Sequence, residues 1–241
     1  MRDKSMGRMA RVASVGLIFM VPFLCVLDTR AQTYGPTYSL VSLTNSGGDI
    51  TVGDKDFYGF FTSGLSFQAT SNITVTGFTD ANGNYGLQFG GGFVAYDNLM
   101  DFQIGYQVMV TNSPDLISGA ALSFNGAVVP TNAGSALAEV VESVYTNMYT
   151  MTLYGQMSVY AASEGNGDEE QLLSTNMAIN PPQSYLSLEK DILVDSFTIT
   201  AFASITTIDQ TYMQVVPEPS TIVMVGLGLF GGLALLRRRC G

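Results

Sequence analysis

The stretch DFQIGYQVMV, residues 101–110, decides the fold class. Its apolar side chains occur at every second position: Phe102, Ile104, Tyr106, Val108 and Val110. Between them stand Asp101, Gln103, Gly105, Gln107 and Met109. Because successive side chains of a strand point to opposite faces, this alternation predicts a half-buried β-strand.

The same period recurs along the chain. ITVTGFT at 73–79 alternates Ile and Val with Thr, and SFTITAFASI at 196–205 aligns five apolar positions from Phe197 to Ile205 on one face. SALAEVVESVYTN at 135–147 fits either a helix through Leu137, Val140, Val141 and Val144 or a strand. We choose the strand because valine and tyrosine favour strands and the neighbouring segments are strand-like.

Turn signals separate these segments. They include ANGN at 81–84, TNSPD at 111–115 and NPP at 180–182. Many short strands between such turns predict an all-β fold, a single antiparallel β-sandwich or jelly-roll-like domain over residues 32–213. An N-terminal signal helix and a C-terminal transmembrane helix are expected to flank it.

Charge and composition restrict the possible functions. Residues 32–216 contain seventeen acidic residues and only Lys55 and Lys190, a net charge of −15. Such a domain repels phosphate backbones, so nucleic acid is not expected as a partner. The chain has no His and no Trp, and its two cysteines, Cys25 and Cys240, lie in the terminal segments. We therefore expect no cofactor and no soft metal site.

The first 31 residues have the organisation of a secretory signal peptide. Four basic residues precede the apolar run at 12–27. Thr29-Arg30-Ala31 then provides a short residue at −3 and Ala at −1. We expect cleavage between Ala31 and Gln32 and export of the mature chain.

The other end has a second apolar segment. Residues 221–236 carry no charge and are followed by Arg237, Arg238 and Arg239. We expect a transmembrane helix at 220–236. Positive residues stay on the cytoplasmic side, so these topology arginines place the β domain outside the membrane.

The tail resembles a known sorting signal. Pro217-Glu218-Pro219, the short apolar helix and the terminal arginines are similar, in this order, to the PEP-CTERM signal of Gram-negative bacteria. A tail of this type is also found on proteins labelled ice-binding. The resemblance implies that residues 214–241 are a sorting signal, that Pro217, Glu218 and Pro219 are its recognition motif, and that exosortase and the secretion machinery are partners. It further implies a transient inner-membrane anchor, then a cell-surface or extracellular location.

The middle of the chain carries a softer resemblance. YGLQFGGGF at 85–93 and LSLEKDILV at 186–194 are similar to segments of PEP-CTERM exported proteins with one all-β domain. The resemblance implies one domain and brings no activity.

Three groups of residues are candidate chemical sites. Asp80, Asn82 and Asn84 place oxygens at alternate positions, as in a calcium loop, but Tyr85 stands where such a loop needs Gly, and an Asn-Gly turn explains them better. Asp168, Glu169 and Glu170 fit a solvated loop. Glu139 with Glu142 or Asp101 would supply the two carboxylates of a glycosidase, although no spacing selects a pair and the sugar-stacking Trp is missing.

Three functions therefore compete. The first is a non-enzymatic exported protein of the cell surface or extracellular matrix. The second is a carbohydrate- or calcium-binding module, with extracellular polysaccharide as the partner, and it requires exposed tyrosines along a cleft. The third is a secreted hydrolase, and it requires two carboxylates that converge in a pocket.

Overall fold

The computed structural model describes residues 31–64, 72–95, 99–112, 114–129, 134–146, 152–164, 168–197 and 201–215. The elements of this part of the chain are β1 (Thr33–Ser39), α1 (Leu40–Ser46), β2 (Ile50–Val52), β3 (Lys55–Ser63), β4 (Thr74–Thr79), β5 (Tyr85–Ala95), β6 (Leu99–Val110), β7 (Leu116–Val129), β8 (Ala136–Tyr145), β9 (Leu153–Ser163), β10 (Glu169–Leu172), β11 (Ser174–Gln183), β12 (Tyr185–Ser196) and β13 (Phe202–Val215).

The strands form two sheets that pack face to face. One sheet has six strands in the order β1-β4-β5-β13-β7-β11, and the other has seven in the order β10-β9-β8-β12-β6-β3-β2. Every pairing among these strands is antiparallel. The predicted antiparallel β-sandwich is therefore confirmed.

The opening stretch occupies β6, near the middle of the seven-stranded sheet. Phe102, Ile104, Tyr106 and Val108 are buried between the sheets, as the alternation predicts. The ambiguous segment at 135–147 is also a strand, β8, and its register with β12 is continuous from Ala136 to Tyr145. Both segments thus contribute one face to the core.

Two local predictions are wrong. Residues 196–205 do not form one strand, because β12 ends at Ser196 and β13 begins at Phe202, with Phe197 60% exposed. The chain passes from one sheet to the other here, and the alternation in the sequence gives no sign of that crossing. The predicted turn at 180–182 lies within β11. Two successive prolines are tolerated there because β11 is an edge strand and its register with β7 is interrupted between Ala178 and Gln183.

A short helix, α1, was not predicted. Its N-cap is Ser39, whose hydroxyl accepts a hydrogen bond from the Ser42 amide at 3.2 Å. Gly47 ends it in the left-handed region with φ of 62°. Leu40 and Leu43 are buried on one side. The sequence signal was present as a serine cap, two leucines three residues apart and a glycine stop.

A tyrosine pair joins the sheets in the core. Tyr106 of β6 and Tyr212 of β13 are both fully buried, and their hydroxyl oxygens lie 2.7 Å apart in a hydrogen bond. Burial raises the pKa of both phenols. Each hydroxyl therefore depends on the other, since a buried hydroxyl without a partner costs free energy.

This pair predicts a non-additive stability cycle. Tyr106→Phe leaves the Tyr212 hydroxyl buried without its partner, so we expect a loss of about 1–3 kcal/mol in the free energy of unfolding. Tyr106→Phe with Tyr212→Phe removes both polar groups and should cost less than the sum of the single changes. Urea denaturation of the four proteins measures the cycle, and strictly additive losses would contradict the assignment.

Candidate functional site

A cleft opens where the edges of the two sheets meet. Its volume is about 260 Å³, and it lies between edge strands β1 and β2 and the end of β4. The lining residues are Thr33, Tyr34, Gly35, Pro36, Tyr38, Ile50, Thr51, Val52, Gly53, Gly77, Phe78 and Thr79. The cleft thus combines aromatic rings, threonine hydroxyls and glycine backbone.

Two tyrosines of β1 remain exposed in this cleft. Tyr34 is 55% exposed and Tyr38 is 38% exposed. The Tyr34 ring lies 6.0 Å from the ring of buried Phe78, centroid to centroid, and is tilted by 37°. Phe78 therefore supports Tyr34 from below and leaves its outer surface open. An exposed ring with a hydroxyl offers both an apolar surface and a hydrogen bond to a ligand.

Glycines shape the cleft floor. A Cβ at Gly77 would lie 2.4 Å from Cγ2 of Val52, so only glycine lets β2 come this close to β4. Gly53 follows β2 with φ of 60°, and a Cβ there would lie 2.2 Å from the Tyr85 ring. A carbohydrate-binding module requires exposed tyrosines along a cleft, and the strand pattern alone does not locate them. The signal available was TYGPTYS at 33–39, two tyrosines beside a glycine and a proline.

The structure separates the carboxylates considered for a glycosidase. Glu139 and Glu142 stand three residues apart on β8, and strand alternation places them on opposite faces. Glu142 is fully buried between the sheets, where it forms an ion pair with Lys190. Glu139 lies on the outer face of the sheet, where its Oε1 accepts a hydrogen bond of 3.0 Å from the Ser158 hydroxyl.

Glu139 and Asp101 do belong to one surface. Both are register partners of Leu193, one on either side of β12, and Asp191 lies two residues along the same strand. We call Asp101, Glu139 and Asp191 the acidic face. The pKa of Asp191 is raised, mainly by partial burial of its carboxyl group. The negative charge of Asp101, a hydrogen bond with Asp101 and the negative charge of Glu139 raise it further. The face accumulates negative charge on an open sheet surface.

The acidic residues at 168–170 lie at another sheet edge. Glu169 and Glu170 belong to the exposed edge strand β10, and the amide of Glu164 donates to the carbonyl of Asp168 at 3.0 Å. The Tyr160 hydroxyl donates a hydrogen bond of 2.9 Å to Glu170, which raises the pKa of Tyr160.

Asp80, Asn82 and Asn84 form a turn. Asp80 Oδ1 accepts hydrogen bonds of 2.8 Å from the amides of Asn82 and Asn84, and its Oδ2 accepts one of 2.9 Å from the Asn84 side chain. Gly83 has φ of 86°, which the turn requires. Both Asp80 oxygens therefore serve the loop itself. In the described ranges no three acidic, His or Cys side chains are grouped so as to hold a metal ion.

Most residues of the terminal predictions lie outside the described part of the chain. This applies to the signal segment before Ala31, to Pro217, Glu218 and Pro219, to the helix expected at 220–236 and to Arg237, Arg238 and Arg239. Ala31 and Gln32 are described and exposed. Among the described residues, no helix has both the length and the apolar character needed to span a membrane.

Both ends of the described chain lie at the cleft end of the sandwich. Thr33 pairs with Thr79, Thr79 with Tyr85, and Tyr85 with Tyr212, so the start of β1 and the last residues of β13 share one end of the sheet. Lys55 holds β13 there: its Nζ lies 2.5 Å from Oε1 of Gln214.

Comparison with known proteins identifies the segment that follows β13. Residues 215–239 match the family model of the PEP-CTERM protein-sorting motif. This chain carries a PEP-CTERM sorting signal. The signal implies an exported protein that is anchored through its C-terminus and processed there by an exosortase. Its match begins at Val215, the last residue of β13, so the folded domain reaches to within one residue of Pro217.

Other comparisons add little. No curated protein matches the sequence. Among solved structures, the crystal structure of endoglucanase 3 of family GH12 from Trichoderma harzianum matches at 10% identity, covering 68% of this chain and 94% of that one, with a TM-score of 0.21. A likeness this weak carries no argument about function.

The acidic face predicts a pH-dependent gain in stability. A raised carboxyl pKa means that the folded protein favours protonated Asp191 over the ionised form. The stability contributed by Asp191 is therefore present below the ordinary carboxyl pKa and is lost as pH rises through the pKa of Asp191 in the folded state. Asp191→Asn should therefore stabilise the protein near pH 7, by roughly 0.5 kcal/mol or less because the site is exposed. The gain should vanish below about pH 4. Asp49→Asn, an exposed loop carboxylate, is the control; equal gains in both variants during urea denaturation would contradict the assignment.

Proposed function

We propose that this PEP-CTERM protein is a non-enzymatic component of the cell surface or extracellular matrix, whose β-sandwich binds a neutral polysaccharide in the cleft between β1, β2 and β4. The observation that carries this proposal is the pair of exposed tyrosines, Tyr34 and Tyr38, along a cleft at a sheet edge. Exposed tyrosines along a cleft are the feature that a carbohydrate-binding module requires.

The chemistry of the lining suits a sugar chain. The exposed faces of the tyrosine rings offer apolar surface to the C–H faces of pyranose rings. Thr33, Thr51 and Thr79 bring hydroxyls to the same cleft, and the free backbone of edge strand β1 supplies further donors and acceptors. A few polar groups around an apolar surface are the usual composition of a small-ligand site.

Charge favours a neutral chain over an anionic one. Between residues 31 and 215 the two lysines are both fully buried, so every ionised side chain exposed in the described part is acidic. The resulting field repels uronate and sulfate groups. A neutral polysaccharide meets no such barrier.

The placement of carboxylates supports binding without cleavage. Glycoside hydrolysis needs two carboxyl groups on either side of the scissile bond. The residues that line the cleft in the described part of the chain include no Asp or Glu. Glu139 and Asp101 instead lie on the acidic face, and Glu142 is enclosed between the sheets. We therefore assign the cleft a binding role.

Removal of the cleft tyrosines tests this function. Tyr34→Ala and Tyr38→Ala should each weaken binding to neutral glucans by about fivefold, because one stacking contact contributes roughly 1 kcal/mol. Affinity electrophoresis in gels cast with the glucan gives the measurement. Phe197→Ala, which removes another exposed ring, is the matched control and should bind like the parent. The proposal would be contradicted if no neutral glucan retards the parent protein in the gel, or if all three variants lose affinity for the glucan equally.

Processing of the tail is tested separately. We expect the C-terminal segment to be lost in a host that has its exosortase and kept in one that lacks it, as seen by the mass of the recovered protein. Glu218→Ala should slow this loss if the motif is what the exosortase recognises. A tail that stays intact in both hosts, with the protein still in the membrane, would show a plain anchor instead.

A further inference from the structure

The interior of the sandwich encloses three groups that can react with one another. Lys190 of β12, Glu142 of β8 and Gln210 of β13 are all fully buried. The Lys190 Nζ forms an ion pair with Glu142, its register partner in the seven-stranded sheet. The same nitrogen donates a hydrogen bond of 2.7 Å to Oε1 of Gln210 in the opposite sheet. The Glu142 carboxylate and the Gln210 carboxamide thus both contact the amine nitrogen of Lys190.

We propose that Lys190 and Gln210 react with each other to form an intramolecular isopeptide bond that links the two sheets covalently, with Glu142 as the group that transfers the proton. The bond would join Nζ of Lys190 to Cδ of Gln210 and release ammonia. It is a modification within the fold and does not depend on the polysaccharide cleft.

Burial prepares the amine to act as a nucleophile. Desolvation holds the pKa of Lys190 well below its usual range, which favours transfer of its proton to the adjacent Glu142 carboxylate. The rings of Phe89 and Tyr106 lie with their centroids 5.9 Å from Nζ, so the amine is enclosed by aromatic groups. A neutral, desolvated lysine amine held beside a carbonyl is a competent nucleophile. Water, its competitor, is kept out by the surrounding core.

The reaction balances without any further reagent. After Glu142 has taken a proton from Lys190, the lone pair of Nζ attacks Cδ of Gln210, and the carbonyl electrons move to Oε1. Protonated Glu142 then donates its proton to Nε2 and receives one from Nζ. The bond from Cδ to Nε2 breaks, the carbonyl re-forms and neutral ammonia leaves. Glu142 remains protonated beside the new amide, so no buried charge is left unpaired.

We take Gln210 rather than Glu142 as the acyl donor because Nζ of Lys190 donates a hydrogen bond of 2.7 Å to the carbonyl oxygen of Gln210, which places the amine beside that carbonyl. Attack on Gln210 leaves Glu142 to transfer the proton. Attack on Glu142 would instead consume the one acidic group that contacts Nζ among the described residues, and it would expel water in place of ammonia.

The second lysine of the domain provides an internal control. Lys55 also contacts a carboxylate and a carboxamide, with Nζ 2.6 Å from Asp54 Oδ1 and 2.5 Å from Gln214 Oε1. Gln214, however, is exposed at the end of β13. Water therefore reaches this carboxamide, although Lys55 and Asp54 themselves are buried. We expect water to compete with the amine there and Lys55 to remain free.

Trypsin digestion of the fully denatured protein tests the bond. Between Arg30 and Arg237 the only cleavage sites are Lys55 and Lys190. Trypsin does not cleave after an acylated lysine, so the full chain from its host should be cut after Lys55 and resist cutting after Lys190. Mass spectrometry should find the uncut peptide lighter by about 17 Da, the mass of ammonia, with fragments that join Lys190 to Gln210.

Variants and alternative products make the result decisive. Gln210→Met removes the acyl donor and Glu142→Gln removes the proton-transfer group. After denaturation both should be cut after Lys190, which also shows that this site is cleavable when free. Cleavage of the parent protein after Lys190 with an unmodified mass would overturn the proposal. A loss of about 18 Da with a link to Glu142 would overturn it as well, because water would then have left.

Discussion

Both lysines of this β-sandwich are buried, and the core must neutralise them. An unpaired buried ammonium costs several kcal/mol, so each lysine needs partners supplied by particular strands. Lys190 receives them from Glu142 of its own sheet and Gln210 of the facing sheet. Lys55 receives them from Asp54 and Gln214. These contacts fix how the two sheets face each other, because β13 must bring both of its glutamines to lysines of the other sheet.

The same constraint determines the surface. With both cations inside, the exposed charges of the described chain are all acidic. Three of them collect on the acidic face, where the pKa of Asp191 is raised. A surface of one sign keeps an exported protein soluble and turns away anionic polymers. It also leaves the uncharged cleft as the place where a neutral chain can approach.

The sequence predicted the fold well because period two is a property of the strand itself. The alternation at 101–110 and the valine-rich segment at 135–147 identified β6 and β8 directly. Failures occurred where tertiary structure intervenes, as at Phe197, where the chain crosses between sheets while its pattern continues. Strand alternation predicts that the side chains of Lys190 and Glu142 lie on the inner face of their sheet. Their contact with Gln210 could not be predicted, because it depends on how the two sheets pack against each other. The cleft could not be found either, since it arises from the edges of two sheets.

The sorting signal and the proposed binding cleft lie at the same end of the molecule. The cleft, the start of β1 and the last residues of β13 lie together there, directly before the PEP-CTERM signal. Hydrogen–deuterium exchange with and without a neutral glucan tests the central claim of binding at this end most directly. If the glucan binds in the cleft, added protection should be confined to residues 33–39, 50–53 and 77–79. Protection on β12 and β8 at the acidic face, or spread evenly over the sandwich, would contradict it.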